Sequence, residues 1–341
     1  MPSSLPSLLR WPLWIAALGT GAKSFADNPL IGSRRLNAMG LHRARMRVSH
    51  AMTRWRRRLL AGGIGREDRD AFDRQGYVEW HGVLSPDAFA RMRGAILEQA
   101  WPAREQVQGD AITRRIAVDD AMLRAVPDLR ALLDSPRWCG LMHYVAGSRA
   151  RPRYYIQTIL THRADNGTDP QNDIHSDAFH PSMKAWLFLT DVAPEDGPFA
   201  YVPGSHRLTD ERLDWDHGRA LDAPDGLDRL SARGSMRIDA EALPSLRLPQ
   251  PQPFAVPANT LIVADTFGFH VRMPSDRPSV RVELWAYSRR NPFLLWPGLH
   301  AGSLPGIATR RMAMIWWLRD RLEKHVPHPW RAVGAKRPAE P

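Results

Sequence analysis

The chain contains 341 residues, of which 43% are hydrophobic and 24% are charged. This composition excludes a wholly disordered protein and suffices for one large domain with appendages. The single cysteine, Cys139, excludes an intramolecular disulfide and a cysteine-rich zinc site.

The net charge of +11 is concentrated at the two ends of the chain. Residues 1–60 contain eleven Lys or Arg residues against one acidic residue, and residues 292–341 contain eight against three. Seven of the 13 Trp residues also lie in these flanks. Basic side chains beside Trp are typical of segments that bind an anionic membrane surface. Nucleic acid is the alternative partner, but no helix-turn-helix, zinc-finger or RNA-binding signature accompanies the charge, so we do not expect it.

Residues 1–62 are predicted to form a basic, amphipathic N-terminal segment. Its most apolar part, residues 8–22, is interrupted by Pro12 and is shorter than the roughly 20 residues that a membrane span requires, so we expect no span. A cleaved signal peptide is the alternative, because residues 24–26 resemble a small-x-small cleavage site.

Within this segment, residues 41–59 repeat apolar side chains at three- and four-residue steps with Arg residues between them. The pattern predicts a helix with a strongly basic face. This helix could contact a membrane surface, or it could dock on the core with its charged face in solvent. His42 and His50 are expected to be solvated.

Residues 63–291 are predicted to form the main domain, which begins with helices. Gly76 is expected to end a short helix before a strand at 77–80, and Ser85-Pro86 supplies the start of the next helix. Further helices are expected at 119–133 and 136–145.

The middle of the chain changes to short β-runs separated by turns, at residues 154–161, 184–192, 199–202, 260–265 and 280–288. Short strands without regularly intervening helices indicate a mainly β fold with flanking helices, built on an antiparallel barrel or jelly roll. The polar segment at about 208–257 is predicted to be a lid-like insertion. Residues 292–341 are predicted to form a C-terminal amphipathic helix, at 307–326, and a flexible tail.

The tripeptide His175-Ser176-Asp177 indicates a metal-binding site. On an extended backbone residues i and i+2 point to the same face, so the imidazole and the carboxylate converge. The pair supplies two ligands of a 2-His-1-carboxylate Fe(II) site, which leaves positions open for O₂ and a co-substrate. His270 follows an apolar strand and is the predicted third ligand, and Arg281 could bind the distal carboxylate of 2-oxoglutarate. A structural zinc site is the alternative, but it leaves Arg281 without a purpose.

These residues, together with the runs at 72–77, 195–198 (Glu-Asp-Gly-Pro) and 202–207 (Val-Pro-Gly-Ser-His-Arg), resemble the phytanoyl-CoA dioxygenase family of Fe(II)/2-oxoglutarate oxygenases. The resemblance covers about residues 68–291. It implies a double-stranded β-helix (jelly roll, cupin-like) with His175, Asp177 and His270 on iron and Arg281 on 2-oxoglutarate. It further implies that Trp186 and Gln157 line the co-substrate pocket.

The sequence therefore predicts a 2-oxoglutarate-dependent dioxygenase that uses Fe(II) and O₂ to hydroxylate an unactivated C–H bond. Asp177 favours hydroxylation, because a halogenase needs a small residue there to admit chloride. The flanks favour a small-molecule or lipid-like substrate and a cytoplasmic, peripheral location at the inner face of the membrane. The alternatives are a non-catalytic, membrane-associated β-helix adaptor and a nucleic-acid-directed dioxygenase. No protein partner can be inferred.

Overall fold

Two antiparallel sheets form the centre of the protein in the computed structural model, which describes residues 7–165, 167–298, 300, 304, 306–323 and 328–340. The larger sheet has the spatial order β1 (Tyr77–Trp80), β8 (Leu261–Asp265), β5 (Met183–Phe188), β10 (Val280–Ser288), β4 (Arg153–Leu160), β3 (Ala111–Ala117), β2 (Trp101–Gln108) and β11 (Arg331–Lys336). The smaller sheet has the order β7 (Gln252–Pro253), β6 (Phe199–Tyr201) and β9 (His270–Arg272). The predicted double-stranded β-helix with flanking helices is confirmed.

The helices lie before, between and after the strands. They are α1 (Ser7–Leu18), α2 (Arg34–Ala38), α3 (Leu41–Leu60), α4 (Arg66–Gln75), α5 (Pro86–Leu97), α6 (Asp120–Ala125), α7 (Pro127–Asp134), α8 (Pro136–Ala146), α9 (Asp210–Asp222), α10 (Arg229–Ala232) and α11 (Arg311–Leu322). Gly76 ends α4 with a φ of 88°, and the Ser85 side chain caps α5, as predicted.

The two faces of the larger sheet differ because side chains alternate along each strand. On β10, Val282, Leu284 and Ala286 belong to the apolar core that α5–α8 cover. Burying a side chain such as Leu284 contributes about 1.5–3 kcal/mol. The alternate β10 residues, including Arg281 and Trp285, line a cavity on the other face. The sheet thus separates a core from a polar site.

Helix α3 matches the helix predicted at 41–59, but its orientation differs from the simple amphipathic expectation. The predicted apolar stripe points outward, with Trp55 and Leu59 44% and 43% exposed. The buried face is mostly polar and comprises His42, Arg45, Met46, Ser49, His50, Thr53, Arg56 and Leu60. The prediction that His42 and His50 are solvated was therefore wrong.

The polar face of α3 is buried because its arginines find backbone acceptors. Arg56 donates to the carbonyls of Gly147 at 2.7 Å and Pro292 at 3.0 Å, and also to that of Leu294. No helix in the described part of the chain is long and apolar enough to span a bilayer. Residues 1–6 of the predicted N-terminal segment lie outside the described residues.

Several elements differ from the prediction. The helix expected at 119–133 divides into α6 and α7 at Pro127, which begins the second helix. The β2–β3 hairpin was not predicted. The segment at 208–257 contains α9, α10 and a 3₁₀ helix (Ala240–Leu246) with buried apolar side chains. The tail was predicted to be flexible, yet it forms β11, because its backbone pairs with the free edge of β2.

Helix α11 also turns its predicted stripe outward. Met314, Leu318 and Leu322 are exposed, whereas Met312 is buried against Tyr155, whose ring stacks on Trp316. Residues 324–327, which include the predicted end of this helix at 326, lie outside the described residues.

Candidate metal centre and co-substrate pocket

The smaller sheet brings His175 and His270 together. The backbone of His175 pairs with that of His270 through two hydrogen bonds of 3.0 and 2.9 Å, and their ring centroids lie 4.5 Å apart. The Asp177 amide donates to Thr266 O at 2.8 Å, which fixes the backbone of Asp177 beside the strand that leads to His270. One ligand atom from each of His175, Asp177 and His270 lies within 4.8 Å of the others. The three predicted ligands therefore converge on one point.

The hydrogen bonds of the two imidazoles orient them for metal binding. His175 Nδ1 lies 2.7 Å from Asp173 O, and His270 Nδ1 lies 2.9 Å from Gly268 O. With Nδ1 protonated, Nε2 of each ring is an acceptor that faces the centre. Within the described residues, the buried Nε2 of His270 has no hydrogen-bond partner, and it lies 3.8 Å from Asp177 Oδ1. Two imidazoles and one carboxylate with an orphaned nitrogen fit an Fe(II) ion.

The electrostatics keep all three groups in the form that binds a cation. Burial lowers the pKa of His175 well below its usual range and that of His270 to about 4, so both rings are neutral at pH 7. Burial acts to raise the pKa of Asp177, but neighbouring positive charge, that of Lys184 above all, outweighs it and holds that pKa well below its usual range.

Two lysines next to Asp177 were not predicted as part of the centre. Lys184 Nζ lies 2.7 Å from Asp177 Oδ2, and Lys23 Nζ donates to the backbone oxygen of Asp177 at 2.6 Å. Lys184 lies on β5 two residues before Trp186, and strand alternation places both side chains on the same face. Lys23 comes from the N-terminal segment, and no local sequence signal connects it to residue 177.

Arg281, the predicted 2-oxoglutarate ligand, is buried in the same cavity as the three metal ligands. Its Nη1 donates to Gly197 O at 2.6 Å, and its Nε lies 3.3 Å from Glu283 Oε2. Burial lowers the pKa of Arg281 and raises that of Glu283. Glu283 was not predicted to be a site residue, although residues 281 and 283, two positions apart on β10, point to the same face of the strand.

Gln157 and Trp186 also line this cavity. Gln157 Nε2 donates to Glu283 Oε1 at 2.6 Å, and Arg115 Nε donates to Gln157 Oε1 at 2.8 Å. Gln157 therefore links Arg115 to Glu283 through two hydrogen bonds. The Trp186 ring stacks on Phe199 at 4.1 Å. All six predicted site residues thus share one cavity of about 420 Å³, while the individual roles stay predictions.

Comparison with known protein families gives a match in the middle of the chain. The model of the phytanoyl-CoA dioxygenase (PhyH) family matches residues 72–235. The chain contains a phytanoyl-CoA dioxygenase family domain. The matched span includes His175 and Asp177, whereas His270 and Arg281 lie beyond it, so their assignment depends on the fold. The resemblance to the phytanoyl-CoA dioxygenase family that the sequence predicted is therefore confirmed. This family belongs to the Fe(II)/2-oxoglutarate-dependent oxygenases.

Solved structures are similar to parts of this chain. The carbocyclase SnoK from nogalamycin biosynthesis is 21% identical, covers 65% of this chain and 83% of its own, and has a TM-score of 0.41. The epimerase SnoN, in complex with Fe³⁺, alpha-ketoglutarate and nogalamycin RO, is 21% identical with 70% and 92% coverage and a TM-score of 0.40. HygX from Streptomyces hygroscopicus, with nickel and 2-oxoglutarate, is 16% identical with 72% and 94% coverage and a TM-score of 0.41. No curated protein matches the chain.

Proposed function

We propose that the protein hydroxylates an unactivated C–H bond of a small-molecule or lipid-like substrate, using Fe(II), 2-oxoglutarate and O₂. The observation that carries the proposal is the convergence of His175, Asp177 and His270 in one cavity with the buried Arg281. Iron held by these three residues would supply O₂ activation coupled to oxidation of 2-oxoglutarate to succinate and CO₂. The presence of a carboxylate, Asp177, among the three ligands supports hydroxylation over halogenation.

The residues around the centre have separate tasks in this proposal. Arg281 binds the distal carboxylate of 2-oxoglutarate with its planar guanidinium. Lys184 holds the second carboxylate oxygen of Asp177 and so fixes the orientation of that ligand. Trp186 and Phe199 form an apolar wall that limits water in the pocket.

The test is formation of succinate from 2-oxoglutarate by the full chain with Fe(II) and O₂. We expect His175→Ala to abolish this turnover, because only two ligands remain. His81→Ala is the matched control, since His81 lies outside the cavity and its side chain is 63% exposed. Turnover that persists in His175→Ala would refute the assignment, and a wild-type chain without any turnover would favour the non-catalytic adaptor.

We also propose that the protein binds the inner face of an anionic membrane through the outer side of α3. Trp55 and Leu59 point outward there, and the neighbouring Leu295 and Trp296 are 55% and 63% exposed. Arg56 connects the two segments through its bond to the carbonyl of Leu294. Indoles and leucines between basic side chains suit a headgroup region.

The charge around these apolar side chains supports an anionic surface as the partner. Arg54 and Arg58 flank Trp55 and Leu59 on the helix, and both line a cleft of about 580 Å³ with Arg69. Each basic residue close to an anionic membrane contributes about 1 kcal/mol, screened by salt. The occupant that we propose is the bilayer, with nucleic acid as the competing outcome.

Co-sedimentation with anionic vesicles tests the location. Removal of residues 1–60 would also remove buried contacts of α3, so the sharper variant is Trp55→Ser with Leu59→Ser. We expect it to reduce binding at least several-fold, with salt weakening the wild type. Val107→Ser is the matched control, because Val107 is equally exposed but lies on β2. Equal sedimentation of variant and wild type, or preference for nucleic acid over vesicles, would refute membrane binding.

A further inference from the structure

The cavity that contains the metal centre carries an excess of positive charge. Seven basic side chains line it, and three of them are paired with acids: Lys184 with Asp177, Arg272 with Asp169 and Arg281 with Glu283. In the part of the chain that the structure describes, the other four have no carboxylate within ion-pair distance: Arg115, Arg153, Arg289 and Arg319. Asp177 and Glu283 are the acidic residues in the lining, and they already pair with Lys184 and Arg281.

Aromatic rings hold three of these arginines, Arg115, Arg153 and Arg289, in place without neutralising them. The Tyr287 ring has the guanidinium of Arg153 at 5.6 Å and that of Arg289 at 5.5 Å. Trp285 stacks on Tyr287 at 5.6 Å and has Arg115 at 4.2 Å. A cation above a ring is attracted to it but keeps its full charge and its remaining N–H donors. These three arginines are therefore ordered and still able to bind an anion.

The strand register relates Arg153 to Lys184, the side chain that contacts the metal ligand Asp177. Tyr287 lies between Lys184 on β5 and Arg153 on β4 in neighbouring strands. Adjacent strands are about 4.8 Å apart, so the backbones of residues 184 and 153 are on the order of 10 Å apart. Lys184 contacts Asp177, so Arg153 lies two strands away from the strand that reaches the metal ligands, whereas Arg289 follows β10 and is close enough to Asp177 to help lower its pKa.

We propose that the substrate is a phosphate ester whose phosphate is bound by Arg153 and Arg289, with Arg115 and Arg319 adding to the positive field. Its organic part would lie over Trp285 and Tyr287 and present a C–H bond to the metal centre. A phosphate dianion offsets more of the unpaired charge than a carboxylate does, and guanidinium groups bind it bidentately. This inference rests on the proposed function and names its substrate class.

Calorimetric titration of the anaerobic protein, loaded with Fe(II) and saturated with 2-oxoglutarate, tests the site. The probes are phenyl phosphate, benzoate and phenol, which share a ring and differ in charge. We expect phenyl phosphate to bind about tenfold more tightly than benzoate, and phenol not measurably. Dodecyl phosphate in parallel distinguishes a lipid-like body, if it binds more tightly than phenyl phosphate, from a ring-shaped one. Equal binding of benzoate and phenyl phosphate would overturn the phosphate assignment.

Variants locate the site. Arg153→Gln and Arg289→Gln are each expected to weaken phenyl phosphate binding about tenfold, and the corresponding Lys variants, which keep the charge, less so. Arg319→Gln is compared with Arg321→Gln, since both lie on α11 but only Arg319 lines the cavity. We expect Arg321→Gln to bind like the wild type. Unchanged binding in both the Arg153→Gln and Arg289→Gln variants would overturn the proposal, as would equal effects of the two α11 variants.

Succinate formation by the same wild-type preparation separates this inference from the proposed function. Turnover of 2-oxoglutarate without a preference for phenyl phosphate would refute the phosphate site alone. Binding of phenyl phosphate that depends on Arg153, in a chain that does not turn over 2-oxoglutarate, would refute the proposed function and support the anion site.

Discussion

Replacement of Arg45 by Met should loosen the N-terminal segment that lies against the metal centre. Arg45 is buried, and its guanidinium donates to three backbone carbonyls, those of Leu18 at 3.1 Å, Thr20 at 3.0 Å and Ala22 at 2.7 Å. The guanidinium also lies 4.3 Å from the ring centroid of Phe179. One side chain of α3 thus fixes the chain between α1 and Lys23, which contacts Asp177.

The magnitude follows from those bonds. A hydrogen bond to a charged group contributes about 1.5–3 kcal/mol, and bonds that share one guanidinium are not additive. We expect Arg45→Met to lower the free energy of unfolding by about 3 kcal/mol, because Met retains the apolar stem and loses all the donors. Since Lys23 is then less well held, Fe(II) binding should weaken as well.

Urea unfolding followed by circular dichroism measures the loss, with Arg47→Met as the matched control. Arg47 lies two residues further along α3 and is exposed, so its replacement should change the unfolding free energy by less than about 0.5 kcal/mol. If Arg45→Met and Arg47→Met have equal stability, the segment is not fixed by Arg45 and the reasoning is refuted.

Three further predictions concern the pocket and the loss of folding stability at low pH. Arg281→Lys should raise the KM for 2-oxoglutarate in the succinate assay with Fe(II) binding largely kept, because lysine retains the charge and loses the planar fork. Lys184→Met should weaken Fe(II) binding about tenfold in anaerobic titration, because Asp177 loses the cation that orients it. Burial lowers the pKa of His42 to about 4, while the unfolded imidazole takes up its proton near 6.5, so the contribution of His42 is present above pH 6.5 and is lost as pH falls toward 4. His42→Phe should remove on the order of 2–3 kcal/mol of that pH dependence in urea unfolding.

Each of these has a contradicting result. An unchanged KM for Arg281→Lys would assign the co-substrate carboxylate to another cation. Wild-type Fe(II) affinity in Lys184→Met would show that Asp177 needs no cation beside it. A His42→Phe variant whose stability falls between pH 6.5 and 4 as steeply as that of the wild type would place the titrating group elsewhere.

The metal centre could be predicted because its signals are local. His175 and Asp177 share a face by strand alternation, and His270 follows an apolar strand with Arg281 eleven residues later. Strands of the core could also be predicted, since β1 and β10 have the predicted bounds. The i, i+2 spacing indicated the paired ligands, and runs of β-forming residues indicated the strands.

The role of the N-terminal segment could not be predicted, because long-range backbone acceptors decide it. Periodicity in α3 identified the helix but not its buried side. Arg45 and Arg56 can be buried because they donate hydrogen bonds to the carbonyls of residues 18–22 and 147, which are distant in sequence. Burial of polar side chains requires partners that only the folded chain supplies. The pairing of β11 with β2 is long-range in the same way.

Anaerobic titration of Fe(II) into the full chain and into Asp177→Ala tests the central claim most directly. The account predicts that the wild type binds one Fe(II) per chain, that 2-oxoglutarate tightens this binding, and that Asp177→Ala loses it. An Asp177→Ala protein that binds Fe(II) with wild-type stoichiometry and affinity would contradict the account.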